Sequence, residues 1–219
     1  MKNRGVSIKK NKALLQSDSN IAIVVLAAGE ASRMGSPKQL LSWGDGSLIT
    51  HVVQQALSTS SSEVMVVLGA HFEAVHHTIS DFPITVLHNQ NWQAGLSQSI
   101  VCAAQYLLKE NKAYQAALFL LADQPLVSSE YINMMIENFK PHQKCILTST
   151  YKDGKKGVPA LFDACYFKGL AELSSQNGAH HFIKNHKPFV QSINMPFENL
   201  DIDTKQDYIT LYQRYFGGK

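Results

Sequence analysis

Two glycines and two basic residues follow the first strongly apolar run of the chain. Residues 21–28, IAIVVLAA, lead into Gly29, Arg33, Gly35 and Lys38. Glycine permits positive φ and lets a phosphate come close to main-chain N–H groups. Arginine offers a planar fork to phosphate oxygens, and lysine offers a point charge. These residue types fit either a left-handed turn with solvated bases or a loop that binds a triphosphate. The spacing matches neither the P-loop nor the GxGxxG dinucleotide fingerprint.

Carboxylates occur in two other segments where chemistry is possible. Asp123 follows the apolar residues 119–122, and Asp201 and Asp203 alternate near the end of the chain. Side chains two residues apart on an extended segment point the same way, and carboxylate oxygens are ligands that a hard divalent cation prefers. The structural alternative is that Asp123 begins a turn and that Asp203 complements the dipole of a helix capped by Thr204.

A third candidate lies before a predicted helix. Gly95, Ser97 and Ser99 lead into a segment whose apolar residues fall on one helical face. Unpaired N–H groups gather at a helix N-terminus, where an anion or a base edge can bind. The alternative is a helix that Ser97 caps. The predicted apolar face comprises Ile100, Ala103, Ala104, Leu107 and Leu108.

Short runs of valine, isoleucine and leucine alternate with segments of helical period, which is typical of strands covered by helices on both faces. We expect an α/β fold with a Rossmann-like, doubly wound, mostly parallel sheet, whose ligand site lies beyond the carboxyl ends of the strands. The predicted strands are residues 21–28, 63–68, 84–87, 116–122 and 145–150. Helices are predicted to begin at the capping residues Ser47, Ser128 and Thr204.

Composition limits the class of protein. The 219 residues, 45% of them hydrophobic and 17% charged, predict a single domain at residues 21–219 behind a disordered lead at residues 1–20. No apolar run reaches the roughly 18 residues of a membrane span, and the lead lacks the apolar segment of a secretory signal.

Charge and cysteine content indicate the surroundings of the protein. A net charge of +3 from scattered basic residues is too small for a nucleic-acid surface, so we expect neither a nucleic acid nor a membrane as a partner. Cys102, Cys145 and Cys165 are far apart and lack metal-ligand spacing. They predict reduced core thiols in a cytoplasmic protein.

Four segments together resemble the MobA-like NTP transferases over residues 21–208. The segment LAAGEASRMGSPKQL, residues 26–40, resembles the family's LAAGxxxRMGxxK signature. ADQPLV, residues 122–127, resembles its GDQPLV segment, and DIDTKQDY, residues 201–208, resembles its DIDTPEDY ending. NQNWQAGLSQS, residues 89–99, resembles its NxxWxxGLSxS segment.

The resemblance implies a fold of the nucleotide-diphospho-sugar transferase type and transfer of a nucleoside monophosphate from an NTP with Mg²⁺ as cofactor. Arg33, Lys38 and Asp123 would be catalytic, and Asp123 would bind Mg²⁺ together with Asp203 or Asp201. The implied nucleotide-binding residues are Leu26, Ala27, Ala28, Gly29, Arg33, Gly35, Lys38, Gly95, Ser97 and Ser99.

Ala28 bears on the choice of substrate. LAAG, rather than LAGG, resembles the molybdenum cofactor cytidylyltransferase branch, which is MocA-like and uses CTP. That branch transfers CMP to the terminal phosphate of molybdopterin, giving molybdopterin cytosine dinucleotide and pyrophosphate. The alternatives are a guanylyltransferase, a sugar-phosphate or alcohol-phosphate cytidylyltransferase, or a carrier that delivers the cofactor to an apo-molybdoenzyme.

Overall fold

The apolar run near the start of the chain forms the central strand of a seven-stranded sheet. The computed structural model describes residues 20–31, 34–110, 112–174, 178–197 and 201–217. Within these residues the strands are β1 (Ile21–Ala27), β2 (Ser42–Trp43), β3 (Gly46–Ser47), β4 (Glu63–Leu68), β5 (Thr85–His88), β6 (Ala116–Leu121), β7 (Ile146–Thr150), β8 (Lys156–Asp163) and β9 (Val190–Asn194). The α-helices are α1 (Leu48–Leu57), α2 (Phe72–Ile79), α3 (Leu96–Lys109), α4 (Ser129–Asn138), α5 (Phe167–Ala171), α6 (Ala179–Asn185) and α7 (Lys205–Phe216).

The sheet has the strand order β5-β4-β1-β6-β8-β7-β9, and β2 pairs with β3 in a separate hairpin. β1 pairs in parallel with both β4 and β6, and β4 pairs in parallel with β5. β8 runs antiparallel to its neighbours β6 and β7, and β9 is parallel to β7. The predicted α/β fold with a mostly parallel sheet is confirmed, with β8 as the reversed strand.

Helices cover both faces of the sheet, which explains why β1 is apolar at every position. All seven of its residues are buried. Alternate residues face opposite sides, so Ile21, Ile23 and Val25 join the core beneath α1, α2 and α4. The intervening residues Ala22 and Val24 join the core beneath α3 and α5.

A small third core fixes the C-terminal helix beside the sheet. Trp43 of the β2–β3 hairpin is 4% exposed and packs with Ile202 and with Leu211 of α7. Its ring meets that of Phe216 edge to face at a centroid distance of 5.2 Å. Ile202 therefore ties the segment before α7 to the same end of the molecule as the carboxyl end of β1.

Most of the local predictions are confirmed. Each of the five predicted strands forms within one residue of its expected bounds. The Oγ atoms of Ser47 and Ser128 accept from first-turn N–H groups, and Thr204 forms a capping box with Asp207. In the described part of the chain, no helix has the length and apolarity to cross a bilayer.

Three of the local predictions are wrong. Gly95, with φ 94°, is the N-cap of α3, so Ser97 lies within the first turn instead of capping it. Leu108 is 52% exposed because it lies at the edge of the apolar face, on the solvent side. The three cysteines are free, but only Cys145 is a core residue, since Cys102 is half-buried and Cys165 is exposed.

Gly69, at the end of β4, lies against the segment that follows β1. A Cβ at Gly69 would be 2.5 Å from Cβ of Trp92 and 2.9 Å from the carbonyl oxygen of Ala28. We expect Gly69→Ala to lower the free energy of unfolding by about 1–3 kcal/mol, because backbone must move to admit the methyl group. Urea denaturation measures the change.

Gly29→Ala is the matched control. No heavy atom lies within 4 Å of a Cβ built at Gly29, and its φ is outside the left-handed region. The control should leave the free energy of unfolding unchanged or raise it by up to about 1 kcal/mol. Equal stabilities for the two variants would contradict the close contact at Gly69.

Candidate active site

A cavity of about 180 Å³ lies at the carboxyl ends of β1 and β6. Its walls come from four places: the end of β1 and the loop after it, the short 3-10 turn Lys38–Leu40, the start of α3, and the residues after β6. The parallel pairing of β1 with β6 brings these places together. The lining residues are Leu26, Ala27, Ala28, Gly29, Lys38, Gln39, Trp92, Gly95, Leu96, Ser99, Leu121, Ala122 and Asp123.

Lys38 connects the loop after β1 to two other segments of the chain. Its ammonium nitrogen Nζ lies 2.5 Å from Oδ2 of Asp123 and 3.3 Å from Oδ1 of Asp203. It also donates to the carbonyl oxygen of Ile202 at 3.1 Å. Burial lowers the pKa of Lys38, but the charges and hydrogen bonds of the two aspartates outweigh it and raise that pKa above its ordinary value. The lysine is therefore held charged among oxygen atoms.

Residues 201–203 belong to no strand of the sheet. The N–H of Ile202 donates to the carbonyl oxygen of Asp123 at 3.1 Å, which fixes the segment against the end of β6. The Ile202 side chain is fully buried, whereas Asp201 and Asp203 are exposed on either side of it. The predicted alternation of these two carboxylates is thus present without β pairing.

Asp201 completes the group of carboxylates. Gln124, which is 1% exposed, donates from Nε2 to Oδ1 of Asp201 at 2.9 Å. Partial desolvation of this carboxylate raises its pKa, and the negative charges of Asp123 and Asp203 raise it further. The three aspartates are therefore close enough to repel one another, and Lys38 offsets one of their three negative charges.

The donor set suits a hard divalent cation, although it is not arranged as a ready-made cage. Oδ1 of Asp123 is buried without a hydrogen-bond partner, and carboxylate and carbonyl oxygens are the ligands of Mg²⁺ and Mn²⁺. Among the described residues, no three His, Cys, Asp or Glu side chains are placed to hold a metal ion. The ammonium of Lys38 lies between Asp123 and Asp203 instead.

Gln39 is a site residue that the sequence analysis missed. Its side chain is 2% exposed, and its Nε2 donates to the carbonyl oxygens of Ala27 at 2.9 Å and Gly29 at 2.8 Å. The C=O and N–H of a trans peptide point in opposite directions. The carbonyl of Ala27 shares its peptide group with the N–H of Ala28, and the carbonyl of Gly29 shares its peptide group with the N–H of Glu30. The two hydrogen bonds therefore turn these two N–H groups away from Gln39 and fix their direction in the loop.

The start of α3 provides further N–H donors. Gly95 is the N-cap and has no side chain that could accept from the first-turn N–H groups. The hydroxyl of Ser99 lies on the cavity wall and accepts from Nδ2 of buried Asn89 at 3.1 Å. Ser97 lies off the cavity wall, and a Cβ at Gly178 would be 2.9 Å from its Oγ.

Three further residues were predicted to act in the loop after β1, namely Gly29, Arg33 and Gly35. Gly35 has φ 68°, which is the left-handed conformation expected of a glycine turn. Gly29 has no positive φ, but the open space beside its Cα lets a ligand approach the backbone. Arg33 lies outside the described residues.

Gln39, Gln124 and Asn89 act through tertiary hydrogen bonds. Their only signal in the sequence is their position inside segments that were informative for other reasons.

The two hydrogen bonds of Gln39 can be tested with the isosteric variant Gln39→Glu. An ionised carboxylate would face two carbonyl oxygens without a proton to donate. We expect a loss of about 2 kcal/mol or more in the free energy of unfolding at neutral pH. The folded state raises the pKa of the introduced carboxyl, so the loss is present above that pKa and fades on acidification.

Urea unfolding over a range of pH measures both effects. The exposed Gln105→Glu on α3 is the control and should change the free energy of unfolding by less than about 0.5 kcal/mol. A Gln39→Glu protein as stable as this control at every pH would show that the side chain does not hold the loop.

The fold is similar to that of several solved structures, including that of a nucleotidyl transferase. Rv0371c from Mycobacterium tuberculosis matches with a TM-score of 0.78 and 26% identity over 89% of this chain and 98% of its own. Its complex with manganese matches with a TM-score of 0.73 and 25% identity, with the same coverage. A nucleotidyl transferase from Methanothermobacter, 21% identical, matches with a TM-score of 0.77 over 91% of this chain and 99% of its own, and this likeness concerns the fold.

Sequence comparison gives a full-length relative and a family. Nicotine blue oxidoreductase from Paenarthrobacter nicotinovorans is 26% identical over 198 residues, which is 88% of this chain and 93% of that protein. The model of the MobA-like NTP transferase domain matches residues 23–189. That match covers the loop after β1, the start of α3 and Asp123. The chain therefore belongs to the MobA-like NTP transferase domain family, a family of nucleotidyltransferases.

Proposed function

We propose that this protein transfers CMP from CTP to the terminal phosphate of a molybdopterin acceptor and releases pyrophosphate. The observation that carries the proposal is the convergence of the loop after β1, Lys38 and Asp123 on one cavity. The family match supports an NTP as the substrate. The LAAG form of the loop, with Ala28 on the cavity wall, supports cytosine as the base.

The reaction requires little acid–base chemistry from the protein. An oxygen of the acceptor phosphate attacks the α-phosphorus of CTP, and the bond from that phosphorus to the bridging oxygen of the β-phosphate breaks. Pyrophosphate leaves with the bonding electron pair. The acceptor phosphate already carries negative charge, so it needs no general base to become a nucleophile. Positioning and charge neutralisation are the contributions the protein must make.

The triphosphate has two sets of backbone donors and a cation available to it. The N–H groups of Ala28 and Glu30 point away from Gln39, and the first turn of α3 presents N–H groups together with the positive end of the helix dipole. Lys38 contributes a charge that can follow the developing pyrophosphate. Arg33, from the same loop, is proposed as a further phosphate ligand.

Asp123 and Asp203, with Asp201 beside them, are the residues that would hold Mg²⁺ or Mn²⁺. The manganese complex of the structural relative Rv0371c supports a divalent cation as a ligand of a protein with this fold. When bound, the cation would offset charge on the phosphates, a contribution of several kcal/mol in related chemistry. Gln124 orients Asp201, and Ile202 fixes the segment that carries Asp203.

Product analysis by mass spectrometry tests the proposal. The protein is incubated with Mg²⁺, molybdopterin and each of CTP, GTP, ATP and UTP in turn. We expect molybdopterin cytosine dinucleotide and pyrophosphate with CTP alone. A dinucleotide formed only with GTP would contradict the choice of base, and pyrophosphate release only with a different phosphate acceptor would contradict the choice of acceptor. No product with any NTP would contradict the transferase proposal.

Asp123→Asn tests the role of the carboxylate while keeping its shape. We expect turnover to fall by a factor on the order of 100 or more, because an amide removes the charge that binds both the cation and Lys38. Pyrophosphate release measures turnover, and circular dichroism checks that the variant is folded. The control Asp81→Asn alters an exposed carboxylate after α2, away from the cavity, and should keep normal turnover. A fully active Asp123→Asn with unchanged metal dependence would remove Asp123 from the catalytic residues.

A further inference from the structure

We propose that the ammonium of Lys38 and a divalent cation compete for the same oxygen atoms, so that binding of the cation releases Lys38 toward the triphosphate. This inference rests on the proposed function in that it assumes a metal-dependent NTP site. It adds an order to the binding events at that site.

The first support is the geometry around Nζ of Lys38. The three nearest acceptors are Oδ2 of Asp123, the carbonyl oxygen of Ile202 and Oδ1 of Asp203, at 2.5, 3.1 and 3.3 Å. An ammonium group has three protons to donate, so these oxygens account for all of them. Lys38 in this position has no donor left for a phosphate.

The second support is the type of these oxygens. Two carboxylates and a main-chain carbonyl are ligands typical of Mg²⁺, Mn²⁺ and Ca²⁺. A Mg²⁺ ion needs them at about 2.1 Å, which leaves no room for a nitrogen at hydrogen-bond distance from the same oxygens. Two positive groups that close would also repel strongly. The cation and the ammonium therefore exclude each other from this position.

The third support is the balance of charge. Asp123, Asp201 and Asp203 carry three negative charges when ionised, and Lys38 supplies one positive charge. Oδ1 of Asp123 remains buried and without a partner while the lysine is bound. A divalent cation neutralises one charge more than the lysine does and can also use this free oxygen, and both effects favour the exchange.

The released side chain has a defined place to go. Lys38 lines the cavity that also contains the loop after β1 and the start of α3. Its backbone is held by the short turn Lys38–Leu40 and by the buried Gln39, so the movement is confined to the flexible lysine side chain. Cation binding thus adds a positive charge to the phosphate-binding side of the cavity, and the two ligands are positively coupled.

Lysine reactivity provides a direct test with the metal alone. The protein is treated with a limiting amount of acetic anhydride, with and without Mn²⁺, and modification of each lysine is quantified by mass spectrometry. We expect Mn²⁺ to raise the modification rate of Lys38 by about fivefold or more, since the ammonium leaves its oxygen ligands. Lys109 serves as the internal control. It is the last residue of α3, a helix of 14 residues and about 21 Å that begins at the cavity.

Metal affinity provides the second measurement. The protein is titrated with Mn²⁺ in the absence of nucleotide and acceptor. The electron paramagnetic resonance signal of the free ion reports the binding and gives the Kd for Mn²⁺. We expect Lys38→Met to bind Mn²⁺ about tenfold more tightly than the unaltered protein, because no ammonium has to be displaced. Lys109→Met removes the same charge at the far end of α3 and should alter Kd by less than about twofold.

The outcomes separate this inference from the proposed function. The competition is overturned if Mn²⁺ leaves the reactivity of Lys38 unchanged or lowers it. It is also overturned if Lys38→Met binds Mn²⁺ no more tightly than the unaltered protein does. Absence of Mn²⁺ binding in both proteins overturns it too. Competition observed in a protein that forms no cytosine dinucleotide would keep the inference and reject the proposed substrates. Asp123→Asn should expose Lys38 to the reagent without Mn²⁺ and remove the effect of the metal.

Discussion

The parallel pairing of β1 with β4 and β6 determines at which edge of the sheet the candidate site lies. Because the three strands run the same way, their carboxyl ends meet at one edge of the sheet. Two backbone hydrogen bonds continue the pairing beyond the strand ends. The N–H of Ala70 donates to the carbonyl oxygen of Ala28, and the N–H of Ala122 donates to the carbonyl oxygen of Leu26, both at 3.1 Å. The loop after β1 is thus held between the ends of its neighbours, and Asp123 follows directly.

Local signals in the sequence were sufficient for most of the framework. The capping side chains of Ser47, Ser128 and Thr204 act on N–H groups within three residues, so their effect is present in the local sequence. The apolar runs predicted the strands for the same reason. Ser97 failed as a cap because Gly95, with positive φ, begins the helix two residues earlier. Gly95 also ends the short 3-10 turn Trp92–Ala94, where its N–H donates to the carbonyl oxygen of Trp92 at 3.0 Å.

The assembly of the site required the tertiary structure. Lys38 and Asp123 are 85 residues apart. The sequence suggested a role for each residue but did not predict that the two side chains are in direct contact. Gln39 and Gln124 were missed because a glutamine gives no sign of which carbonyl or carboxylate it will meet. The reversed direction of β8 was also unpredicted, since a strand pattern has no polarity. The resemblance to a known family identified the segments, and the structure related them to one another.

The position of Asp203 has a consequence for synthesis of the protein. It lies 165 residues after Lys38, and its segment is fixed against Asp123 by Ile202. Chains emerge from the ribosome N-terminus first, so β1, β4 and β6 can pair before this segment exists outside the ribosome. A nascent chain therefore contains the loop after β1 and Asp123 while it still lacks Asp203. The contact of Lys38 with both aspartates can therefore form only after residue 203 has left the ribosome.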